Sequence, residues 1–291
     1  MSDKQGRNDS CWCGSGRKYK KCHALIEEKM AIYRSKACEV PPLGLLKTQQ
    51  QIQGIRDSGK LNIDLLDFIG DYVVAGITTG ELDRLIYEKT GELGGIPATL
   101  NYNGYPKSVC ISINDVVCHG IPSERVILRS GDIANIDVST IYNGFFSDSS
   151  RMFCVGDVSA EKQRLVDVAK ECMELGIEQI KPWGFLGDVG QAVHDHARKN
   201  GYSVVREIGG HGIGLQFHED PWVSYVSKQG TGMLLVPGLV FTVEPMINMG
   251  KAGTATDERD NWTVYTADGE PSAQWEKTVL VTETGYEILA Y

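Results

Sequence analysis

The 291-residue chain is expected to fold as α+β, with helices covering one face of a mostly antiparallel sheet. Three observations predict this. Leu61, Leu65, Leu66, Ile69 and Val73 recur at helical spacing, and further helical segments follow. Asn143 and Gly144 separate two apolar runs, the strongest short-range signal for a β-hairpin. The order helix, helix, strands occurs twice, around residues 60–155 and 160–282, which suggests a weak internal duplication.

The elements follow in order. A short charged helix spans residues 24–36, and Pro41 and Pro42 break the chain beyond it, since proline cannot donate and restrains the residue before it. After the helix at 61–75, Thr78 and Glu81 form a capping box that opens a second helix to about residue 93. Strand-like runs occupy 108–113, 133–141 and 145–155. Helices follow at 160–179 and 187–200, the latter stopped by Gly201. Strands resume at 204–207, 239–247, 263–265, 274–282 and 287–289. The chain divides into a head at 1–29, a linker at 30–45 and a body at 46–291.

Composition narrows the function. The chain is 42% hydrophobic and long enough to bury a sizeable core. Its net charge of −9 argues against a general nucleic-acid binder. Residues 1–30 carry seven basic and four acidic side chains, so +3, against 22 and 34 in the remainder, so −12. Residues 1–8 offer no apolar secretion segment, and no stretch provides the roughly 18 apolar residues of a membrane helix. Cys38, Cys110, Cys118, Cys154 and Cys172 are scattered through the body, as suits reduced thiols in a cytoplasm.

The head places Cys11, Cys13, Cys22 and His23 within 13 residues. Three thiolates and an imidazole are the donor set of a closed, tetrahedral structural zinc site. Gly14 and Gly16 permit the turn between ligand pairs, and the nearby lysines and Arg17 offset the thiolate charge. Over about residues 8–24 the pattern resembles the SEC-C zinc motif, also found at the tail of the SecA translocation ATPase. That resemblance implies a docking module, with ribosome or chaperone as partner, and no catalytic zinc.

In the body, a two-residue turn at Asn143-Gly144 makes facing residue numbers sum to 287. Asp137 then faces Ser150 and Asp148 faces Ser139, so both aspartates share one sheet face, roughly 7–8 Å apart as diagonal neighbours. Two such carboxylates raise each other's pKa unless a cation lies between them. Glu244 and Glu276 each sit within an otherwise apolar strand, where an unpaired carboxylate is costly. His211 stands in a glycine-rich loop, Gly209–Gly214, whose spacing does not fit a dinucleotide fingerprint. Taken singly, His211 and either aspartate have an ordinary reading as satisfied polar residues. Together, two Asp, two Glu and one His exceed one tetrahedral ion and fit two divalent ions, with Mn, Fe, Co and Zn all compatible. Such a pair points to hydrolysis. A serine-hydrolase elbow and a phosphate-binding loop are both absent from the sequence. Cys118 and His119, as strand neighbours, point to opposite faces and form no dyad. His194 and His196 are read as solvated on a helix.

Residues 101–122, 209–214, 241–246 and 273–281 closely resemble type I methionine aminopeptidases of the M24 family, and the similarity runs over about 45–291. The resemblance implies the pita-bread fold, two related α-β halves around a dinuclear site. It implies removal of initiator methionine from nascent chains, favouring a small second residue. A cytoplasmic enzyme is expected from the cysteine distribution, and a monomer is expected. Asp137, Asp148 and Glu276 would hold one metal, and Asp148, His211, Glu244 and Glu276 the other. His119 would assist near the scissile amide and the amine, and His218 would bind the peptide carbonyl. Tyr102, Tyr105, Cys110, Phe217 and Trp262 would line the methionine pocket, with His119 and His218 also touching substrate. Thr99, Ser147 and Lys277 depart from the residues usual in bacterial relatives. Two rivals share the fold: a prolidase or aminopeptidase P, and a non-enzymatic binding protein, although the latter kind loses ligands that are all present here.

Overall fold

In the computed structural model of this chain, residues 5–291 are described. Residues 1–4, where the head and the stretch read as free of a secretion signal begin, lie outside the described residues.

Among the described residues, five α-helices form the helical elements of the fold. Helix α1 (His23–Ser35) ends the head. Helix α2 (Gln49–Gly70) starts well before the apolar repeat at 61–75, because Thr48 and Gln51 form a reciprocal capping box. Helix α3 (Thr79–Glu92) begins where expected, with the Thr78 hydroxyl accepting from the Glu81 amide. Helices α4 (Ala160–Glu178) and α5 (Leu186–Lys199) form the second pair. His196 on α5 is not simply solvated, since its Nε2 lies 2.7 Å from Glu171 on α4, and His194 is half-buried.

The strands pair antiparallel throughout, but among the described residues they fall into four sheets. The hairpin Ile133–Tyr142 and Phe145–Cys154 has the expected register, Asp137 opposite Ser150 and Ser139 opposite Asp148. Asn143 and Gly144 take positive φ angles of 51° and 82°, as a primed turn requires. The two long strands expected at 239–247 and 274–282 are each broken. Glu244 sits between Val240–Val243 and Met246–Asn248, and Glu276 between Ser272–Gln274 and Lys277–Val281. Pro245 cannot donate to a ladder, and Glu276 bridges instead to Ser150 on the hairpin. The chain thus changes sheets at both glutamates, which aims their side chains at the junction.

Each half has its own core. Leu65, Leu66 and Ile69 of α2 and Leu82 and Ile86 of α3 pack on Ile136 and Val138 of the hairpin. Leu165 and Met173 of α4 and Val189 and Val193 of α5 pack on Phe241, Val243, Val279 and Val281. Truncating any one of these to alanine is expected to cost about 2–5 kcal/mol. Gly59, in the middle of α2, shows how closely the helix rides on the sheet: a Cβ there would lie 2.0 Å from the Leu289 carbonyl oxygen.

The head is docked on this body. Met30 of α1 enters the second core, and Tyr33 packs on Trp183 and Phe185. Helix α1 runs on to Ser35, past the linker boundary expected at residue 30, because the same charged helical pattern continues. The segment beyond is tied down, with the Leu234 amide donating to Glu39 and the Lys47 amide to Gly238.

Candidate metal centre

The five body residues expected at a metal site converge at the sheet junction. His211, on the short strand Gly210–Gly212, donates from Nδ1 to the Gly212 carbonyl at 3.0 Å, which leaves Nε2 as a free lone pair. That nitrogen lies 3.7 Å from Asp148 Oδ2 and 3.7 Å from Glu244 Oε1. These gaps are too long for hydrogen bonds but close to the roughly 3.4 Å edge of a tetrahedron with ~2.1 Å metal–ligand bonds. One donor atom each from Asp148, His211 and Glu276 falls within 4.8 Å of the others. Asp137 Oδ1 and Glu276 Oε1 are enclosed and have no hydrogen-bond partner, a costly arrangement unless a cation takes them.

Electrostatics point the same way. Burial, reinforced by Asp148 and Glu244, pushes Asp137 well above the carboxylate range, and burial with the same neighbours and Asp137 does so for Glu276. Burial raises Glu244 to about 7, although His211 and Thr242 partly oppose it. Burial alone would lower His211, but its contact with Asp148 and the charge of Glu244 raise it. Four carboxylates around one imidazole carry more negative charge than the protein itself neutralises, and divalent cations would relieve it.

A cavity of about 370 Å³ opens above this cluster, within the size range of small-ligand sites. Asp137, Asp148, His211 and Glu244 line its floor, and Tyr102, Tyr105, Cys110, Phe217 and Trp262 its walls, with His119 and His218 beside them. The His218 ring lies 4.1 Å from that of His211 and 5.1 Å from Tyr102. Desolvation and the neighbouring His211 lower His218 to about 4, and burial also lowers His119, so both are neutral imidazoles at neutral pH. His119 is off the strand Val116–Cys118, with φ of 55°, so strand alternation does not describe how it and Cys118 are separated.

The supporting shell escaped the sequence reading. The Thr242 hydroxyl donates to Glu244 Oε1 at 2.6 Å, and Gln274 Nε2 to Glu244 Oε2 at 3.1 Å. The Tyr225 hydroxyl accepts from the Glu244 amide, and Ser139 donates to Asp148 Oδ1. Ser139 faces Asp148 in the hairpin register, so that partner was legible. Thr242 lies in a strand that ends before Glu244, and Gln274 serves Glu244 across the junction, so no local rule marks those two. Of the three departures, Ser147 bonds Ser58 and Thr140 on the far side of the hairpin, and Lys277 lies over Tyr291. Only Thr99 lines the cavity, with its hydroxyl buried and unpartnered.

The head forms a second, chemically different cluster. Cys13 Sγ lies 3.6 Å from Cys22 Sγ, and His23 Nδ1 lies 3.2 Å from Cys11 Sγ and 3.4 Å from Cys22 Sγ. A disulfide would need about 2.05 Å. Tetrahedral zinc with ~2.3 Å Zn–S bonds spaces its sulfurs about 3.8 Å apart, so the donor set fits zinc.

The sequence matches the description of metallopeptidase family M24 over residues 53–283 and the SEC-C motif over 7–25. It is 42% identical to a methionine aminopeptidase of Chlamydia pneumoniae over 97% of this chain and 98% of that one. It is 46% identical to the Rickettsia prowazekii methionine aminopeptidase, and that protein's crystal structure superimposes with a TM-score of 0.83, covering 84% of this chain and 99% of the other. A prolidase from Pyrococcus furiosus, 21% identical with a TM-score of 0.67 over 85% of this chain and 65% of its own, shares the fold. With its pita-bread fold, carboxylate-rich centre and N-terminal SEC-C motif, the chain belongs to metallopeptidase family M24, among the methionine aminopeptidases.

Proposed function

We propose that this protein removes N-terminal methionine from new polypeptides by metal-dependent hydrolysis of the first peptide bond, favouring a small second residue. The observation that carries the reading is one cavity with an acid-lined floor and an apolar, aromatic wall. The wall suits an unbranched thioether. Asp137, Asp148 and Glu276 would hold one divalent ion, and Asp148, His211, Glu244 and Glu276 a second. Such ions supply Lewis-acid polarisation and hydroxide at neutral pH, with Co, Mn, Fe and Zn all suited to the donor set.

The chain's own residues do the rest. The walls seat the methionine side chain and exclude water from it. His218, neutral at neutral pH, donates a hydrogen bond to the carbonyl oxygen as negative charge develops there. His119 lies beside Trp262 in the cavity lining, where its ring N–H can donate a hydrogen bond near the scissile amide. Hydrolysis breaks the C–N bond, adds hydroxyl to the carbonyl carbon and a proton to nitrogen, and releases free methionine.

At the head, Cys11, Cys13, Cys22 and His23 would hold one structural zinc. With all four positions filled by protein and basic residues around them, we assign the head a docking role towards ribosome or chaperone. The catalytic unit is taken as a monomer. No disulfide forms among the eight cysteines, and among the described residues no helix is long and apolar enough to cross a membrane, which supports a cytoplasmic site of action. The test is methionine release from Met-Gly-Met, Met-Ala and Met-Leu peptides beside an X-Pro peptide, with metal analysis of the same preparation. Preference for X-Pro would sink the assignment.

A further inference from the structure

Lys47 is buried outside both metal clusters, only 3% exposed, and its ammonium pairs with Glu219. The two side chains are 1% and 9% exposed, so the pair is shielded from water. Glu219 has a second task. Its Oε1 accepts from the Leu215 amide at 2.7 Å and the Gln216 amide at 2.9 Å. Leu215 and Gln216 themselves point into solvent, so the carboxylate fixes the exposed turn that leads into Phe217 and His218. Beneath this turn the Lys47 stem and Ile55 fill the space at Gly214, where a Cβ would lie 2.3 Å from Ile55 Cδ1. The backbone of Lys47 is tied down on both sides. Its amide donates to Gly238 at 2.8 Å, and the next residue, Thr48, caps α2.

We propose that Lys47 is a positioning residue: through the Glu219 carboxylate it holds the loop at residues 213–218 so that His218 and Phe217 face the substrate cavity. The physical reason lies in the carboxylate's donor count. With the ammonium and two amides it is a satisfied buried anion. With the amides alone it is a desolvated charge lacking its counter-ion, and it relaxes by turning to water and releasing the turn. The inference rests on the reading above in one respect, that His218 serves the peptide carbonyl.

The test uses the metal-loaded full chain with Lys47→Met, which keeps the stem and removes the charge, and Lys47→Arg, which keeps the charge. Amide exchange at residues 214–218 is expected to quicken by about tenfold or more in Lys47→Met, with α2 and the hairpin unchanged. Turnover of Met-Gly-Met should fall about tenfold or more, chiefly in kcat, and Lys47→Arg should recover most of it. Adding Lys47→Met to His218→Ala should cost less than about threefold more, because the two act through one group. Unchanged exchange in Lys47→Met, or losses that multiply with His218→Ala, would overturn the proposal. Should Lys47→Met not fold, Glu219→Ala removes the acceptor that joins Lys47 to the two amides, and wild-type exchange and turnover there would also overturn it. The exchange measurement reads the tether whether or not methionine peptides are substrates, so a wild-type enzyme inert on Met-Gly-Met sinks only the functional reading.

Discussion

The head and the catalytic body each gather metal-type ligands, by opposite means. In the head, three thiols and an imidazole lie within 13 residues on one turn and the start of α1. In the body, four carboxylates and an imidazole lie between residues 137 and 276 and meet only where sheets break and rejoin. The head cluster is soft and closed on itself. The body cluster is oxygen-rich, carries surplus negative charge and lines a cavity. On the reading proposed above, the ligand set made by local spacing serves structure, whereas the one made by tertiary convergence borders a cavity with room for a substrate.

The sharpest expected separation between the two follows from removing one body ligand. Glu244→Ala should lower kcat/KM on Met-Gly-Met by roughly a thousandfold or more, since bound-metal geometry is lost rather than tuned. The fold should survive, because the change also relieves a buried carboxylate, and the head should keep one zinc per chain. Metal analysis and circular dichroism on the inactive variant check both points. Near-wild-type turnover would remove Glu244 from the centre.

Much of this was legible because it depends on local rules. The hairpin register followed from a turn type, and the head from spacing. The capping residue Thr78 announced α3, whereas α2 began earlier than its apolar repeat because Thr48 and Gln51 set its start. The sheet breaks at Glu244 and Glu276 were not legible. Apolar runs read as continuous strands, and nothing local says that Ser150 will pair with Glu276 across the junction. The supporting Thr242, Tyr225 and Gln274 were missed for a related reason. Polar side chains in a buried strand have meaning only once the acid they serve is in place.

The body centre should also carry a pH signature of its own. Glu244 titrates at about 7 when folded and near 4.5 in its unperturbed state. At this group the metal-free folded state therefore binds more protons than the unfolded one between those values. Stability is fully present below about pH 4.5 and is lost as pH rises towards 7, by at most about 1.4 kcal/mol per pH unit for one such group. Burial lowers His218, His119 and His23, and these pull the other way in the same range, so the test is the difference from Glu244→Gln. Between pH 5.5 and 7.5, stripped wild type should lose several degrees of Tm relative to stripped Glu244→Gln, and reloading the wild type with metal should remove that loss. Parallel profiles of the two stripped proteins would contradict the assignment.

The smallest expected effect tests whether the head matters to chemistry at all. Cys11→Ser should release the head zinc yet change Met-Gly-Met turnover by less than about threefold, since distant, independent sites contribute separately. The contacts argue for independence. The Cys13 carbonyl accepts from the Gln49 amide at the start of α2, but Thr48 caps that helix without it. The Arg17–Glu283 pair is exposed and worth under about 1 kcal/mol. Helix α1 is anchored by Met30 and Tyr33, which do not depend on the metal. Only the turn at residues 11–22 should loosen, with a small fall in Tm. If tripeptide turnover collapsed instead, the cause would have to pass through the start of α2 to Lys47 and its hold on Glu219, and head and centre would be one cooperative unit.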